Sequence, residues 1–501
     1  MSRAPVPTAT LLDALPTKAV RGTMPASVTG LAYDSRKVEP GDLFVAVTGF
    51  RQDGRRYVGE ALGRGATAVV LEGDDLLTGT DTGRVLVPST REALARLADA
   101  YFGHPSRALT VVGITGTNGK TTTSFLVDAL LRRKGMKTGV IGTIQYRIGD
   151  ETRSAGQTTP EAVDLQSMLA EMSERAVTGV AMEVSSHALA LHRVDGVEFD
   201  VAVFTNLTQD HLDFHGALDA YREAKARLFA LLAAGRKPRR TAVINADDPA
   251  GPSMVSGLDL STLTFGIASR ADVRPRRFES AIDGIRMDVQ TPRGALEIRS
   301  PLVGEHNVMN LLGAAAVGLA LEMSPAAVGD ALGSVAAVPG RFERVEAGQP
   351  FLVIVDYAHT PDALERVLAT ARRLVGDEGR LAVVFGCGGD RDRGKRPLMG
   401  GIAARLADHV WVTSDNPRSE APEAIIAEIV AGIPSIEGRS SKHETIADRA
   451  TAIRRAITWA RMGDVVVIAG KGHETYQIVG STVLAFDDRE VARAALTEAT
   501  H

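Results

Sequence analysis

The sequence predicts an α/β protein built from three domains. Short apolar runs, typical of buried strands, alternate with longer segments of helical periodicity along most of the chain. The chain has 501 residues, which at ~150 residues per domain suggests three domains. Two linkers with proline and glycine, GHPS at 103–106 and AVPGR at 337–341, divide it into residues 1–106, 107–340 and 341–501.

The composition excludes several classes of protein. The net charge is −4 and charged residues make up 24% of the chain, so the sequence predicts neither nucleic-acid binding nor attraction to an anionic membrane. The longest run of apolar residues and glycine, 311–321, is shorter than the ~20 residues that a membrane-spanning helix needs. Residues 1–16 lack the apolar core of a signal peptide, and the single cysteine, Cys387, suits a reducing compartment. We therefore expect a soluble cytoplasmic protein without membrane insertion.

Polar residues follow the first predicted strands of the N-terminal domain. A short strand, Gly30–Tyr33, runs into Asp34-Ser35-Arg36, and a second strand, Asp42–Val47, follows. These polar residues either contact a ligand or form an ordinary Asx-turn that ends the strand. The pattern alone leaves both interpretations open.

The central domain opens with a strand, a loop rich in glycine and threonine, and a helix. Val111–Ile114 is the strand, residues 115–121 are the loop, and Gly135 ends the helix. Such a loop directs backbone N–H groups and a helix N-terminus toward phosphate, while Lys120 adds a cation and the Thr121 hydroxyl can bind Mg²⁺. The pattern G-x-x-x-x-G-K-[ST] would require glycine at Ile114. The order of elements nevertheless favours a nucleotide site over a simple turn with a solvated lysine.

Two further strand ends of this domain carry polar side chains. One apolar run ends at Glu183, and the strand Val201–Thr205 leads to His211. Because the carboxyl ends of parallel strands meet at one edge of a sheet, both side chains are expected beside Thr121. They can then complete a Mg²⁺ shell with water and phosphate oxygens. The alternative for His211 is a structural histidine, since Mg²⁺ prefers oxygen ligands.

Lys225 lies on a predicted helix, DAYREAKARLF at 219–229. It is close to the apolar stripe that Tyr221, Leu228 and Phe229 form. Periodicity alone favours a lysine whose stem packs on this stripe and whose charged end extends into solvent.

The third domain repeats the alternation of strands and helices. Its predicted strands are Phe351–Asp356, Leu381–Phe385, Val410–Thr413 and Val465–Ala469. Polar clusters stand at their ends, namely DYAH at 356–359, GGDR at 388–391, DNPR at 415–418 and GKGHE at 470–474. The sequence therefore predicts a second α/β sheet with its own ligand site.

Motifs in all three domains resemble those of the Mur ligases. The resemblance covers nearly the whole chain and rests on GTNGKTT at 116–122, MEVSSHALALHRV at 182–194, TNLTQDHLDFHG at 205–216, YREAKARLF at 221–229, EHNVMN at 305–310, PGRFE at 339–343, DYAHTPD at 356–362, CGGDRDRGKRP at 387–397 and GKGHE at 470–474. Within the family, YDSR at 33–36 and DNPR at 415–418 resemble the branch that adds meso-2,6-diaminopimelate.

The resemblance implies an ATP-dependent, Mg²⁺-dependent ligase of peptidoglycan precursor synthesis. In that reaction ATP phosphorylates the D-glutamate side-chain carboxylate of UDP-MurNAc-L-Ala-D-Glu, and the amine of diaminopimelate displaces the phosphate. The implied architecture is an N-terminal α/β UDP-binding domain, a central P-loop domain with a mostly parallel sheet, and a C-terminal Rossmann-like α/β domain for the amino acid. Small-molecule substrates are the only implied partners, and a monomer is the expected assembly state.

The resemblance also implies a role for individual residues. Lys120, Lys225 and His211 would be catalytic, and Thr121, Glu183, His211 and Lys225, as a carbamate, would bind Mg²⁺; this reverses the interpretation of Lys225 from periodicity. ATP would contact Gly116, Thr117, Asn118, Gly119, Lys120, Thr121, Thr122, Asn307, Arg341 and Asp356. The UDP-linked substrate would contact Ser35, Gln157, Thr158, Thr159, Ser185 and Arg193. Diaminopimelate would contact Arg391, Asp415, Asn416, Pro417, Arg418, Gly470 and Glu474.

Two positions depart from the family pattern. Gln157 replaces an asparagine that is common before the Thr-Thr pair, but it keeps an amide. Leu191 replaces a glutamine that is common two residues before Arg193, and it cannot form hydrogen bonds. For Arg418, the alternative to ligand binding is a surface ion pair with Glu420.

Three other functions remain open at this stage. The first is the L-lysine-adding ligase of the same family, and the second is a ligase similar to folylpolyglutamate synthetase. The third is a nucleotide-gated binding protein that hydrolyses ATP without ligation, since a phosphate loop alone can serve that purpose.

Overall fold

The structure is a computed structural model that describes residues 4–49, 53–73, 77, 81–208, 210–268, 270–375, 378–434 and 442–500. The chain divides into two compact units. The first unit consists of Met1–Arg274 and Leu312–Val328, and the second consists of Pro275–Leu311 and Gly329–His501. Each unit is described by itself below.

The N-terminal part of the first unit contains a five-stranded mixed sheet. Its elements are β1 (Val6–Pro7), α1 (Thr8–Asp13), β2 (Ala19–Arg21), β3 (Ser27–Val28), β4 (Gly30–Ala32), β5 (Asp42–Val45), α2 (Val58–Gly63), β6 (Ala68–Leu71), β7 (Gly83–Leu86) and α3 (Thr90–Tyr101). The strand order is β2-β7-β6-β5-β4, with only β2 antiparallel, and β1 pairs with β3. Strands β5 and β6 are buried along their whole length, as expected for parallel strands covered on both faces.

The rest of the first unit is organised around an eight-stranded sheet. Its elements are β8 (Thr110–Thr115), α4 (Lys120–Arg133), β9 (Thr138–Ile141), β10 (Gln145–Ile148), β11 (Glu151–Ser154), α5 (Ala162–Glu174), β12 (Gly179–Glu183), α6 (Ser186–Ala190), β13 (Val201–Phe204), α7 (Leu212–His215), α8 (Leu218–Ala234), β14 (Thr241–Asn245), α9 (Gly251–Met254) and β15 (Ser261–Phe265). The order is β11-β10-β9-β12-β8-β13-β14-β15. Strands β10 and β11 form an antiparallel extension, and the other six are parallel.

The register of this sheet brings three polar strand ends to one edge. Glu183 at the end of β12 lies opposite Ile114 of β8, and Phe204 of β13 lies opposite Thr115. The loops after β8, β12 and β13 therefore start side by side, which is where ligands bind in open parallel sheets.

The second unit begins with a three-stranded sheet that the sequence reading did not predict. It contains β16 (Arg274–Ala281), β17 (Gly284–Thr291) and β18 (Gly294–Ser300), with β17 antiparallel to β18. Buried and exposed residues alternate from Leu296 to Ser300 of β18, where the charged Glu297 and Arg299 separate the buried residues, so no apolar run marks the strand. The helices α10 (Glu305–Ala320) and α11 (Pro325–Gly333) follow along the chain, and residues 312–328 of this stretch belong to the first unit.

The C-terminal part of the second unit is organised around a six-stranded sheet. It contains β19 (Glu343–Arg344), β20 (Leu352–Asp356), α12 (Pro361–Arg372), β21 (Leu381–Phe385), α13 (Lys395–Leu406), β22 (His409–Val412), α14 (Pro422–Val430), β23 (Lys442–Thr445), α15 (Arg449–Trp459), β24 (Val465–Ala469), β25 (Tyr476–Val479), β26 (Thr482–Ala485) and α16 (Asp488–Thr500). The order is β19-β20-β24-β21-β22-β23, and all strands except β19 are parallel. Strands β25 and β26 form a separate hairpin.

The predicted α/β class is confirmed, and long elements agree closely with their predicted ranges. Strands β21 and β24 have the predicted bounds, and α13 begins and ends one residue before the helix that the sequence predicts at Arg396–Ala407. Each predicted domain contains a sheet of its own, but the domain boundaries at 106 and 340 stay predictions. None of the described helices has both the length and the apolar character that a membrane crossing requires.

A fully buried ion pair joins the last two helices of the second unit. Arg449, at the start of α15, donates two hydrogen bonds of 2.7 Å to the carboxylate of Asp488, at the start of α16. The guanidinium also donates to the carbonyls of Ser414 and Ala469 at 3.3 Å and 2.9 Å. The pair thus fixes the ends of two loops that carry predicted ligand residues.

Replacing Asp488 tests how much the buried Arg449–Asp488 ion pair stabilises the second unit. Asp488→Asn leaves the Arg449 charge buried without its anion, so we expect the free energy of unfolding of the second unit to fall by ~3–5 kcal/mol. Denaturant titration followed by tryptophan fluorescence measures this unit, because both tryptophans, Trp411 and Trp459, lie in it.

A matched control is available between the same two helices. Arg454 and Glu498 form an exposed pair at 3.8 Å, and Glu498→Gln should cost less than ~1 kcal/mol. Equal losses in the two variants would contradict the role given to the buried pair.

Candidate active site

The loop between β8 and α4, residues 116–119, is called the phosphate loop below. Gly116 has a φ of 149°, and Gly119, which precedes α4, has a φ of 83°. A Cβ at position 116 would lie 1.9 Å from Oγ1 of Thr205. Both glycines are therefore needed for this backbone path. The first N–H groups of α4 have no partner within the helix, and such groups bind phosphate.

The segment after β13 holds the phosphate loop in place. The Asn118 N–H donates to Oδ1 of Asn206 at 2.9 Å, and the Thr205 hydroxyl donates to the Asn118 carbonyl at 2.6 Å. The Thr117 N–H donates to the Asn206 carbonyl at 2.8 Å, while Thr117 Oγ1 accepts from the Thr208 N–H at 2.9 Å. The loop is therefore preorganised by contacts within the protein.

Lys120 folds back over the phosphate loop. Its Nζ donates to the carbonyls of Gly116 and Thr117 at 2.9 Å and 2.8 Å. The lysine charge is thus held next to the backbone that would surround a phosphate. Thr122 lies in the first turn of α4 and is buried.

A pair of buried oxygen ligands stands beside the loop. The Thr121 hydroxyl donates to Oε2 of Glu183 at 3.1 Å, and Glu183 is 1% exposed. Thr143 holds the same carboxylate through its N–H at 2.9 Å and its hydroxyl at 3.0 Å. These oxygens fit Mg²⁺, which usually takes one or two protein carboxylates together with water and phosphate oxygens. In the described part of the chain, no three His, Cys, Asp or Glu side chains are grouped as a metal site.

Tyr221, on α8, connects the phosphate loop with two predicted site residues. Its hydroxyl lies 3.2 Å from Oγ1 of Thr117. Its ring centroid is 4.1 Å from Nζ of Lys225 and 6.1 Å from the ring centroid of His211. The structure thus groups Lys225 and His211 around one aromatic ring. The ring of His211 also lies 4.8 Å from that of His187.

Lys225 is buried, so the solvent-facing interpretation drawn from periodicity is wrong. The side chain is 1% exposed because the face of α8 that carries it also carries Tyr221 and Leu228 into the core. Burial lowers the pKa of its ammonium well below the ordinary value, and the charge of Lys120 lowers this pKa further, whereas Asp210 raises it. A lysine in this environment readily loses its proton.

Residues predicted to contact the UDP-linked substrate lie around the end of β12. The Thr159 hydroxyl donates to the Glu183 carbonyl at 2.9 Å and accepts from the Ser185 N–H at 3.1 Å. Ser185 Oγ also caps α6. Thr158 Oγ1 lies 3.1 Å from Oγ1 of Thr143, which in turn holds the Glu183 carboxylate.

Arg193 contacts the same group, including Gln157, the glutamine that replaces the asparagine of the family pattern. Its NH1 donates to Oε1 of Gln157 at 2.5 Å and to the Thr159 carbonyl at 3.1 Å. Its NH2 pairs with Glu161 at 2.7 Å. The longer amide side chain of Gln157 therefore keeps a contact with Arg193. Leu191 is the residue that follows α6 and supplies no polar atom from its side chain.

Ser35, in the N-terminal part of the first unit, is not among the described hydrogen-bond partners of that group. Among the described side chains its hydroxyl donates to Oε2 of Glu60, at 2.9 Å. Asp34 Oδ1 accepts from the Arg36 N–H at 3.1 Å, which confirms the turn that the sequence suggested. The five other residues predicted for this substrate form the group at the end of β12.

Three residues predicted to contact ATP lie in the second unit. Asn307 is 2% exposed, and its amide donates to the Val303 carbonyl at 2.8 Å. Arg341 lies with its guanidinium carbon 4.7 Å from the ring centroid of Tyr357. Asp356 accepts from the N–H groups of residues 342 and 358 at 2.7 Å and 2.8 Å. Burial raises the pKa of the Asp356 carboxyl above its ordinary value, although Arg341 opposes this effect.

Residues predicted for diaminopimelate form a buried network around Lys471, which is 0% exposed. Its Nζ donates to Oδ1 of Asn416 and Oε2 of Glu474, each at 3.1 Å, and lies 3.8 Å from Oδ1 of Asp415. The Asn416 amide also donates to Glu474, at 2.9 Å. Gly470 has a φ of 119°, and a Cβ there would lie 2.6 Å from Oδ2 of Asp415. The network therefore fixes two carboxylates and an amide at the end of the sheet.

The predicted arginines lie beside this network. Arg418 has a φ of 52°, and its NH1 donates to the Gly389 carbonyl at 2.8 Å. Pro417 approaches so closely that a Cβ at Gly389 would lie 1.8 Å from its carbonyl oxygen. Arg391 is exposed and donates to the Asp390 carbonyl at 3.1 Å.

The surface ion pair considered for Arg418 is absent from the described contacts. Glu420 pairs instead with the buried Arg396, which donates to its two carboxylate oxygens at 2.8 Å and 2.9 Å. Among the described contacts, the Arg418 guanidinium is therefore held by the Gly389 carbonyl and not by Glu420.

Two residues of these groups are not among the residues that the sequence predicts for the site. Tyr221 belongs to the predicted apolar stripe of its helix, but its spacing of four residues from Lys225 puts both on one face. Lys471 stands between two glycines directly after a buried strand. That position is typical of a functional strand end, although the predicted set contains only Gly470 and Glu474 of this loop.

Comparison with known proteins shows the class to which these sites belong. Three domain descriptions match the chain, namely “Mur ligase family, catalytic domain” at residues 27–102, “Mur ligase middle domain” at 114–318 and “Mur ligase, glutamate ligase domain” at 340–472. The chain therefore belongs to the Mur ligase family.

Individual relatives within the family that are similar to this chain share one name. The UDP-N-acetylmuramoyl-L-alanyl-D-glutamate–2,6-diaminopimelate ligase of Syntrophomonas wolfei is 47% identical over 475 residues, which cover 95% of this chain and 96% of that protein. The ligase of the same name from Geobacillus kaustophilus is 48% identical over 491 residues, or 98% and 99% of the two chains. A solved structure of such a ligase shares 34% identity and a TM-score of 0.72 over 100% of both chains.

A methyl group at position 116 tests the geometry of the phosphate loop. Gly116→Ala should weaken ATP binding at least ~10-fold, because the methyl group would collide with Thr205 and the backbone would be strained by ~1–3 kcal/mol. Isothermal titration calorimetry measures the change.

Gly135→Ala is the matched control for this variant. Gly135 has a φ of 85°, but a Cβ there meets no atom within 4 Å. It therefore introduces backbone strain without a collision, and ATP binding should stay unchanged. The loop geometry is wrong if Gly116→Ala binds ATP as tightly as this control.

Proposed function

We propose that the protein is an ATP-dependent ligase that joins meso-2,6-diaminopimelate to the D-glutamate side-chain carboxylate of UDP-MurNAc-L-Ala-D-Glu. The observation that carries the proposal is the similarity, at 47% and 48% identity over almost the whole chain, to ligases named for this reaction. The preorganised phosphate loop and the charged network around Lys471 supply chemistry that such a reaction needs. The cytoplasm, where ATP is available, is the proposed location.

The reaction proceeds in two steps with balanced atoms. The carboxylate attacks the γ-phosphorus of ATP, giving an acyl phosphate and ADP. The neutral amine of diaminopimelate then attacks the acyl carbon, and collapse of the tetrahedral intermediate releases phosphate and a proton and leaves an amide. Bringing a carboxylate to a triphosphate concentrates negative charge, so catalysis depends on cations and N–H donors placed in advance.

The phosphate loop and Lys120 meet that requirement in the first unit. Residues 116–122 would bind the phosphates through N–H groups and hydroxyls, and Lys120 would transfer its hydrogen bonds from the loop carbonyls to the outer phosphate. Thr121 and Glu183, with His211, would hold Mg²⁺, which would neutralise phosphate charge when bound. Asn307, Arg341 and Asp356 are the proposed contacts of the rest of the nucleotide.

Lys225 is proposed to carry a carbamate. Its depressed pKa favours the neutral amine, which can add CO₂ and release a proton to give an anion. A buried ammonium would oppose binding of a second Mg²⁺, whereas a carbamate would supply an oxygen ligand for it. Tyr221 would position this group through the contact of its ring with Lys225.

The remaining predicted residues are proposed to bind the two organic substrates. Ser35, Gln157, Thr158, Thr159, Ser185 and Arg193 would contact the UDP-linked substrate. Asp415, Asn416 and Glu474 would bind an ammonium and a carboxylate of diaminopimelate beside Gly470 and Pro417, and Arg391 and Arg418 would bind carboxylate groups through their planar guanidinium groups.

The decisive experiment is product analysis by mass spectrometry. The protein is incubated with ATP, UDP-MurNAc-L-Ala-D-Glu and either diaminopimelate or L-lysine. The proposal expects the diaminopimelate adduct together with ADP and phosphate. A lysine adduct alone would indicate the other branch of the family, and activity only with folate substrates would indicate a folylpolyglutamate synthetase. ATP hydrolysis without any adduct would indicate a nucleotide-gated protein.

Arg418 is predicted to select diaminopimelate over L-lysine. The two amino acids differ by one carboxylate, and L-lysine would leave the guanidinium without that partner, a mismatch that can discriminate by ~10⁴. Arg418→Ala should therefore reduce the ratio of kcat/KM values for the two amino acids by ~10²-fold or more.

Arg393→Ala is the control for Arg418→Ala, because Arg393 is an exposed arginine of the neighbouring loop that pairs with Glu428. It should leave the ratio unchanged. An unaltered ratio in Arg418→Ala shows that another residue is the selector.

Lys225 variants test the carbamate. Lys225→Ala should lose activity by ~10²–10³-fold, as expected when one preorganised electrostatic group is removed, and short-chain carboxylic acids should partly restore it. Lys225→Arg keeps a cation but cannot form the carbamate, so it should also be inactive. Full activity of Lys225→Arg would refute this role, and intact-protein mass spectrometry in bicarbonate under non-acidic conditions tests for the added CO₂ directly.

A further inference from the structure

The two loops that carry Arg391 and Arg418 are linked to each other. They are residues 387–391, after β21, and residues 415–420, after β22, and are called the loop pair below. The Gly389 N–H donates to the Asn416 carbonyl at 2.9 Å, and Arg418 returns a hydrogen bond to the Gly389 carbonyl at 2.8 Å. Asp390 accepts from the Ser419 hydroxyl at 2.6 Å and from its N–H at 3.2 Å. Four hydrogen bonds therefore join the two loops.

One carboxylate bridges the loop pair and the helix α13. Oε1 of Glu420, at the end of the second loop, accepts from the Asp390 N–H of the first loop at 2.6 Å. The same carboxylate receives both terminal nitrogens of Arg396 at 2.8 Å and 2.9 Å. The Arg396 hydrogen bonds, followed by the Asp390 N–H, lower the pKa of the Glu420 carboxyl to about 2, so it remains ionised at neutral pH.

Arg396, the partner of Glu420 on α13, is held in place by burial and by further hydrogen bonds. Its side chain is 0% exposed, and it also donates to the Gly388 carbonyl at 3.3 Å and to Glu428 of α14 at 2.8 Å. A buried guanidinium must keep its charge and its partners, because leaving it unpaired costs several kcal/mol. Its planar geometry also fixes the direction of each hydrogen bond.

We propose that Glu420 and Arg396 are positioning residues that set the relative placement of Arg391 and Arg418, and thereby the selectivity for an amino acid with a second carboxylate. The inference rests on the proposed function. Neither residue needs to touch the substrate. Glu420 joins the two arginine-bearing loops through the Asp390 N–H, and Arg396 fixes the direction of its carboxylate. A displacement of about 1 Å in a binding group can cost ~10²-fold in rate.

The chain provides a matched pair of variants for this test. Glu420→Gln and Glu428→Gln each remove one anionic partner of the same buried arginine. Glu420 also accepts the Asp390 N–H of the other loop, whereas Glu428, on α14, pairs only with Arg396 and Arg393 among the described contacts. A lower stability of the fold should therefore appear in both variants. A displacement of Arg391 relative to Arg418 should appear in Glu420→Gln alone.

The measurements are KM and kcat for each substrate and the ratio of kcat/KM for diaminopimelate and L-lysine, with full-length protein. Glu420→Gln is expected to raise KM for diaminopimelate ~10–100-fold and to lower the ratio by a similar factor. Its KM values for ATP and the UDP-linked substrate should stay within about twofold, and Glu428→Gln should stay within about twofold for every substrate.

Ser419→Ala is a milder second variant in case Glu420→Gln fails to fold. It removes the exposed hydroxyl contact with Asp390 and should shift the same two quantities in the same direction by a smaller factor. Equal effects of Glu420→Gln and Glu428→Gln, or an unchanged selectivity ratio in a folded Glu420→Gln or Ser419→Ala protein, would overturn the inference. Failure of the wild-type protein to ligate diaminopimelate would instead overturn the proposed function.

Discussion

The closure of the phosphate loop onto the segment after β13 is the contact on which the rest of the first unit's candidate site depends. Thr205 can approach the loop only because position 116 has no side chain. In this conformation the loop carbonyls of Gly116 and Thr117 accept hydrogen bonds from Lys120, and the Thr117 hydroxyl contacts the Tyr221 hydroxyl. Tyr221 in turn packs over Lys225. A cation, an aromatic ring and a buried amine are therefore positioned by one local backbone path.

In the second unit the corresponding constraint is the burial of cations that contact the loops following the strands. Arg396, Arg449 and Lys471 are all fully buried, and each has a carboxylate partner on a different loop or helix, namely Glu420, Asp488 and Asp415. Because an unpaired buried charge is costly, these loops cannot separate independently. A site that distinguishes amino acids by one carboxylate needs such rigidity, since a flexible guanidinium would also tolerate the wrong ligand.

The two units place charge in opposite ways. In the first unit, burial depresses the pKa of Lys225 and favours its neutral amine. In the second unit, multiple hydrogen bonds keep Arg396 and Glu420 ionised. Removing a charge from water is costly in both units. Lys225 has few partners, so its neutral form is favoured. Arg396 and Glu420 have several hydrogen-bond partners, so they stay charged and hold the surrounding loops together.

The sequence by itself determined the fold class, the phosphate loop and most strand ends, because these depend on local order. Apolar runs and glycine positions mark β8, β21 and β24 without reference to distant residues, and the motifs placed Glu183 and Asp415 at strand ends. Periodicity could not decide whether Lys225 reaches solvent, since that depends on what packs against α8. It also missed the sheet of β16–β18, whose alternating charges carry no apolar run. Only the tertiary structure joined Glu420 to Arg396 and Asp390, because hydrogen bonds between separate loops leave no local trace in the chain.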